Sequence, residues 1–399
     1  MKNSSVVRRF RDFCWLEDEL SKQNPGVFFS HLFLLTHFQS LTYFLLFYSP
    51  GVIIPPTPSK QTIGRFDDEF VESRRRGLEQ FLKRIAAEEL LCDSNHFITF
   101  LQGEESEMSK AKDEAKASKT KMSTTMMSVF SSTVNKVTAG VVTIDKSSDD
   151  LAIDSIQAYI TLFQKCLCQT LKDAEAYCKK SRDTGHALKA LADSFEMLAS
   201  TEGSELQSLL SKSGSTLASI STSKIIAATE EIRDFEEPLE EYVRFCEAVQ
   251  DALKRRETKR TEYINALTDH HVKDQSYQKV LGVPGKESDA ESKQHKVVTA
   301  QAAVDKIKQD LDDCSNSLIR NFENFKQTKA NDFKNIFNKM VQIQLEALSR
   351  QATLFNDMQG LLGVGDDRPT FVTSHKVQAP NLPSVPNPFA DDEEEHTEV

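Results

Sequence analysis

From Leu151 to Leu362, apolar residues return at steps of three and four with few interruptions. Ile153, Ile156, Ile160, Phe163, Leu167 and Leu171 begin the series. Such a seam is a helix-on-helix face rather than the alternating pattern of a strand. Thr201-Glu202-Gly203-Ser204 breaks the first helix. A second runs from about Glu205 to Leu281, with Ile225, Ile232, Phe235, Leu239, Tyr242, Phe245, Val249 and Leu253 as its apolar positions. Pro238 lies inside it and predicts a kink, because proline removes a backbone donor and crowds the preceding turn. Gly282-Val283-Pro284-Gly285 is a turn, and a third helix follows from about Asp289 to Leu362. At 1.5 Å per residue, a helix of seventy-odd residues is roughly 100 Å long. Three such helices form an elongated antiparallel bundle rather than a globule. A rod of this kind leaves an apolar flank open, and a twofold partner is its simplest cover.

The 399 residues leave room for a second module and linkers. Residues 103–120 form a charged linker, and residues 121–145 carry a different helical signal. Met126, Phe130, Val134 and Val137 share one face with Met122 and Val129, opposite Ser, Thr, Asn and Lys. A weakly charged polar face suits a helix lying among lipid head groups; packing along the bundle gives the same moment. Residues 363–399 hold Pro369, Pro380, Pro383, Pro386 and Pro388 ahead of the acidic run Asp391 to Glu395, a composition that does not bury a core. Within that tail, Asn387-Pro388-Phe389 resembles the motif bound by EH-domain adaptors.

The start of the chain carries phosphate chemistry. Arg8-Arg9-Phe10 sets planar double donors beside a ring, and Pro55-Pro56-Thr57-Pro58-Ser59-Lys60 sets a lysine on a stiff loop. These stretches, with Arg74-Arg75-Arg76-Gly77-Leu78-Glu79-Gln80-Phe81-Leu82-Lys83-Arg84-Ile85, resemble the phox-homology (PX) domain, a family that binds phosphoinositides. The resemblance implies that Arg9 holds the 3-phosphate, Phe10 floors the inositol, Lys60 holds the 1-phosphate and Arg74 bonds the ring hydroxyls. With the helical remainder looking like a BAR domain, the whole resembles a sorting nexin of the PX-BAR type. The implied architecture is mainly α: a partial α+β PX module over 5–102, then a three-helix BAR bundle over 150–362. Only Met1 to Ser5 precede the stretch matching the family's Arg-Arg strand, so the sheet is expected to be incomplete.

Residues 27–51 interrupt the PX-like module. No Asp, Glu, Lys or Arg occurs between Lys22 and Lys60. By length the block reads as a spanning helix, a membrane-dipping loop or an insertion. The recurrence of Pro25-Gly26-Val27 as Pro50-Gly51-Val52 favours the insertion.

Net charge is −11, which argues against general nucleic-acid binding. Local cations still act on anionic lipid within a Debye length of ~10 Å. Lys254, Arg255, Arg256, Lys259 and Arg260 form a dense run expected to be a basic membrane face, and Lys273, Lys279, Lys286, Lys293 and Lys296 surround the 282–285 turn. Cys14, Cys92, Cys166, Cys168, Cys178, Cys246 and Cys314 follow no disulfide or zinc spacing, which points to reduced thiols and the cytosol. The sequence contains no Walker loop, Gly-x-Ser-x-Gly or His-Glu-x-x-His, and adjacent His270 and His271 point to different faces of a helix. No enzyme and no cofactor are expected.

The combined expectation is a peripheral protein of the cytoplasm and the cytosolic face of endosomes. It binds phosphoinositide-containing membrane, pairs as a homo- or hetero-dimer with a BAR sorting nexin and, by the resemblance, works with a retromer-type cargo complex. A coiled-coil dimer scaffold without a functional lipid pocket, and an integral protein anchored by residues 28–48, remain the rival readings.

Overall fold

The computed structural model describes residues 6–23, 51–59, 67–115 and 144–361. The apolar block up to residue 50, Lys60, the amphipathic stretch with Met126, Phe130, Val134 and Val137, and Asn387-Pro388-Phe389 lie outside the described residues. Among the described residues the regular structure is helical: α1 (Phe10–Gln23), α2 (Asp68–Ala87), α3 (Glu89–Cys92), α4 (Asn95–Gln102), α5 (Ser148–Ala199), α6 (Ser204–Glu231), α7 (Glu237–Gln278) and α8 (Glu287–Leu361). A further helical stretch covers 105–115.

The bundle follows the sequence pattern closely. Ser147 and Asp150 close a capping box at the start of α5: Asp150 N donates to Ser147 Oγ over 3.2 Å, and Ser147 N to the Asp150 carboxylate over 3.1 Å. Ile153, Ile156, Ile160 and Leu167 are buried against Leu239, Tyr242, Phe245 and Val249 of α7 and Leu318, Phe322 and Phe325 of α8. The α5–α6 pair is brought close by small residues. Ser221 Oγ donates to Gly185 O over 2.8 Å, and a Cβ on Gly185 would lie 2.6 Å from Ile225 Cγ1. The expected disturbance at Pro238 takes the form of a π turn, Ile232–Glu236, between α6 and α7. A wider turn absorbs the missing proline donor without ending the helical path. The α7–α8 turn needs glycine, with φ +74° at Gly282 and +81° at Gly285. At 75 residues, α8 is about 110 Å long, so the bundle is a rod.

The N-terminal module has its own core of Leu16, Leu20, Val52, Ile54, Phe81, Ile85, Leu91, Phe97, Phe100 and Met108. The stretch resembling a family strand is corrected here. Residues from Phe10 onward are helical, with Phe13, Leu16 and Leu20 at helical spacing and Asp12 accepting from Arg9 N over 2.7 Å at the helix entry.

Several links bind the module to the rod. Val52 and Ile54 point into the module core while Ile53 between them enters the bundle core, the alternation of an extended segment. Gly51, at φ +95°, passes so close to α8 that a Cβ would lie 2.2 Å from Cys314 O. Arg84 of α2 is 10% exposed and reaches Glu241 at 2.5 Å and Asp332 at 3.0 Å, above the rings of Tyr242 and Phe245. Arg76 pairs with Glu237 at 2.7 Å beside it. A buried cation with two carboxylates and two ring faces is fully compensated, so it fixes orientation rather than exposing charge.

Candidate functional site

The Pro-rich loop is held from two sides. Thr57 gives its amide and hydroxyl to the Glu17 carboxylate of α1, at 3.2 and 2.7 Å. On the α2 side, Gly77 leaves room for Pro58, whose Cγ would lie 2.6 Å from a Cβ there. The loop end at Ser59 is thereby set beside Arg74, whose Nη2 donates to Ser59 O at 3.5 Å. Lys60 follows directly, outside the described residues.

Arg74 and Phe10, two of the four residues expected to handle phosphoinositide, meet in this place. The Arg74 guanidinium carbon lies 4.3 Å from the centroid of the Phe10 ring. Arg9, next to Phe10, is exposed. The three consecutive arginines of α2 have different fates. Arg75 is held by Glu72 and Glu79, each at 2.8 Å, and Arg76 by Glu237. Arg74 has no carboxylate partner among the described residues, and its Nε is buried without an acceptor. A planar cation with spare donors, beside an exposed second arginine and a ring, can take a phosphorylated polyol.

Arg8 belongs to the frame instead. Its Nε donates to Phe100 O at 2.7 Å and its Nη2 to Gly103 O at 2.5 Å, so it caps the C-terminal end of α4. The Arg8-Arg9 pair is therefore one structural arginine and one exposed one.

The basic run of α7 is not the membrane face expected of it. Arg256 is 3% exposed, binds Asp150 and donates to Ser315 Oγ at 3.1 Å. Arg260 reaches the same Asp150 at 3.3 Å. Lys259 is 2% exposed and pairs with Glu262 at 2.9 Å, while Arg255 donates to Val52 O at 2.8 Å across the module–rod seam. Lys254 alone of the five lies on the open surface, and it pairs with Asp251 of the same helix at 2.9 Å. Two turns of helix cannot present all their cations to one surface when their faces meet α5, α8 and the N-terminal module. At the rod's tip, Lys279, Lys286 and Lys296 are exposed with no ion pair among the described residues.

A residue missed from the sequence is Phe70. It stands one turn before Arg74 on α2, and its ring lies 4.3 Å from the same guanidinium. The i, i+4 spacing was the available signal.

Two family models match the chain: the PX domain over residues 35–104, beginning inside the apolar block, and Vps5 C terminal like over residues 122–359. Sorting nexin 1 of Arabidopsis thaliana is 29% identical over 259 residues, covering 63% of this chain and 58% of that protein. The vacuolar protein sorting-associated protein vps5 of Schizosaccharomyces pombe is 38% identical over 104 residues, covering 26% of this chain and 14% of that protein. The chain thus spans little more than half of the first relative and far less of the second. The cryo-EM structure of the SNX-BAR Mvp1 tetramer shares the fold at a TM-score of 0.59 and 15% identity, with 90% of each chain covered.

Proposed function

The chain belongs to the Vps5-type sorting nexins, a PX module followed by a BAR bundle, and from that premise we propose that it is a peripheral endosomal protein that reads phosphoinositide and curvature together. Arg9, Phe10, Lys60 and Arg74 bind the inositol head group, and the rod lies along the bent bilayer. The observation that carries this reading is the uncommitted Arg74 against Phe10, on a module bolted to the rod through Ile53, Arg76 and Arg84. A pocket fixed to a rod sets the angle at which the rod meets lipid. With four cations of the α7 run committed internally, adhesion falls to this pocket, the amphipathic stretch over 121–145 and the tip lysines.

Dimerisation has its own support. On α8, Ile336, Ile343 and Ala347 are buried within the bundle. Phe337, Val341, Leu345, Leu348 and Phe355 form a second apolar face, between 49% and 62% exposed. A contiguous stripe of this kind is an interface in waiting, and a second BAR subunit of the same or a related chain covers it. Work with a retromer-type cargo complex, and capture of EH-domain adaptors by Asn387-Pro388-Phe389, complete the sorting role; no catalytic step is assigned.

The test is co-sedimentation with phosphatidylcholine vesicles with and without phosphatidylinositol 3-phosphate. The full chain is expected to prefer the phosphoinositide, and Arg9→Ala to lose about tenfold in affinity, the worth of one charged hydrogen-bond set. Equal binding to both vesicles would sink the lipid reading. In sedimentation velocity the chain should run as an elongated dimer that Leu345→Glu converts to monomer; a compact wild-type monomer would sink the dimer.

A further inference from the structure

We infer that Phe70 is a positioning residue of the lipid site: together with Phe10 it clamps the Arg74 guanidinium between two ring faces and aims its free donors at the ligand. This rests on the phosphoinositide reading above for its purpose, while the clamp itself stands on geometry. Both rings lie 4.3 Å from the Arg74 guanidinium carbon. Arginine at such distances is attracted electrostatically to each face, and the long side chain loses rotamer freedom before any ligand arrives.

The surroundings explain why a clamp is needed. Arg75 and Arg76 are positioned by carboxylates, which also neutralise them. An arginine meant for an anionic ligand cannot be positioned in that way without spending its charge. Aromatic faces hold the guanidinium plane and leave its N–H donors available. Among the described residues, the neutral carbonyl of Ser59, at 3.5 Å, is the acceptor for Arg74. The buried, unpartnered Nε marks a donor that no described residue satisfies.

A second consequence concerns Phe10. Arg74 covers one face of its ring, so a ligand that the Arg74 donors reach meets Phe10 at the ring edge on the arginine's side. The chemistry recognised is a phosphorylated cyclitol, whether at a bilayer or free in solution.

The experiment compares the full-length chain with Phe70→Leu, which keeps apolar bulk without a ring, and Phe70→Tyr, which keeps the ring. Arg74 in lipid-free protein is labelled with an arginine-selective dicarbonyl and quantified by mass spectrometry. Labelling of Arg74 is expected to rise several-fold in F70L, to stay low in F70Y, and Arg75 is to serve as the internal reference. Binding to phosphatidylinositol 3-phosphate vesicles should weaken about three- to tenfold in F70L, and little in F70Y. Adding F70L to R74A should cost nothing more. Soluble inositol 1,3-bisphosphate as competitor separates head-group recognition from adhesion to the bilayer. Equal Arg74 labelling in wild type and F70L would overturn the clamp even with lipid binding intact. A protected Arg74 in a wild type indifferent to phosphoinositide would overturn the lipid reading and leave the clamp standing without that purpose. F70L and R74A losses that add in full would overturn the coupling between the two residues.

Discussion

Two cation-rich runs, Arg74-Arg75-Arg76 on α2 and Lys254 to Arg260 on α7, look alike on paper and behave differently in the fold. In the first, two arginines are neutralised and the third is held by rings with its charge unspent. In the second, Arg256 and Arg260 share Asp150, Lys259 has Glu262 and Arg255 has a backbone carbonyl. The longer run is the less available one. What decides availability is the identity of the neighbours, aromatic or anionic, and these come from other helices. A count of lysines and arginines therefore ranks candidate anion sites poorly; a partner census ranks them well.

The comparison breaks most visibly at Arg256. Arg256→Ala leaves Asp150 buried at the capped start of α5 with its main counter-charge gone, and should cost about 3–5 kcal/mol in denaturant unfolding. Vesicle binding by the folded fraction should be unchanged. Lys254→Ala, from the same run but on the open surface, should cost under about 0.5 kcal/mol. If Arg256→Ala instead unfolded like wild type and bound anionic vesicles weakly, the run would be a membrane face after all and the contrast with α2 would vanish.

How much of this was legible in the chain depends on range. The α5, α6–α7 and α8 rod, the break near Gly203, the disturbance before Pro238 and the Gly282–Gly285 turn all come from residues within a few positions of one another, and each lies where local spacing puts it. The meeting of Phe10 with Arg74 was reached only through the resemblance to PX domains, because no local rule joins residues so far apart. Two of the errors share that cause. Asp150 lies 106 residues from Arg256, so this neutralised arginine could not be distinguished from a free one. Arg8 looked like half of a phosphate grip because its acceptors, the carbonyls ending α4, lie more than ninety residues on. Helix α1 was missed where the resemblance was followed in place of the three-and-four spacing of Phe13, Leu16 and Leu20.

Acid sharpens the contrast by a smaller amount. Burial by itself would raise the Asp150 carboxyl, but the Arg256 hydrogen bond, the Ser147 amide and the charges of Arg256 and Arg260 together hold it below its ordinary value of 3.8. A depressed folded value means that Asp150 contributes its stability in full above about pH 4 and loses it as pH falls through the folded value. The slope is at most about 1.4 kcal/mol per pH unit for one proton. Glu88 and Glu236 act in the opposite sense, because burial pushes both up from 4.5. Their protonation strengthens the fold as pH falls from neutrality towards 4.5. Stability measured by urea unfolding should therefore hold or rise slightly on mild acidification and then fall below about pH 4. Asp150→Asn isolates the acid limb: the gap between wild type and D150N should be constant from pH 7 to 5 and shrink below 4. A gap that ignores pH would mean that Asp150 does not carry the charge of the α7 run. The arginines there would then need another anion, with a lipid phosphate the first to test.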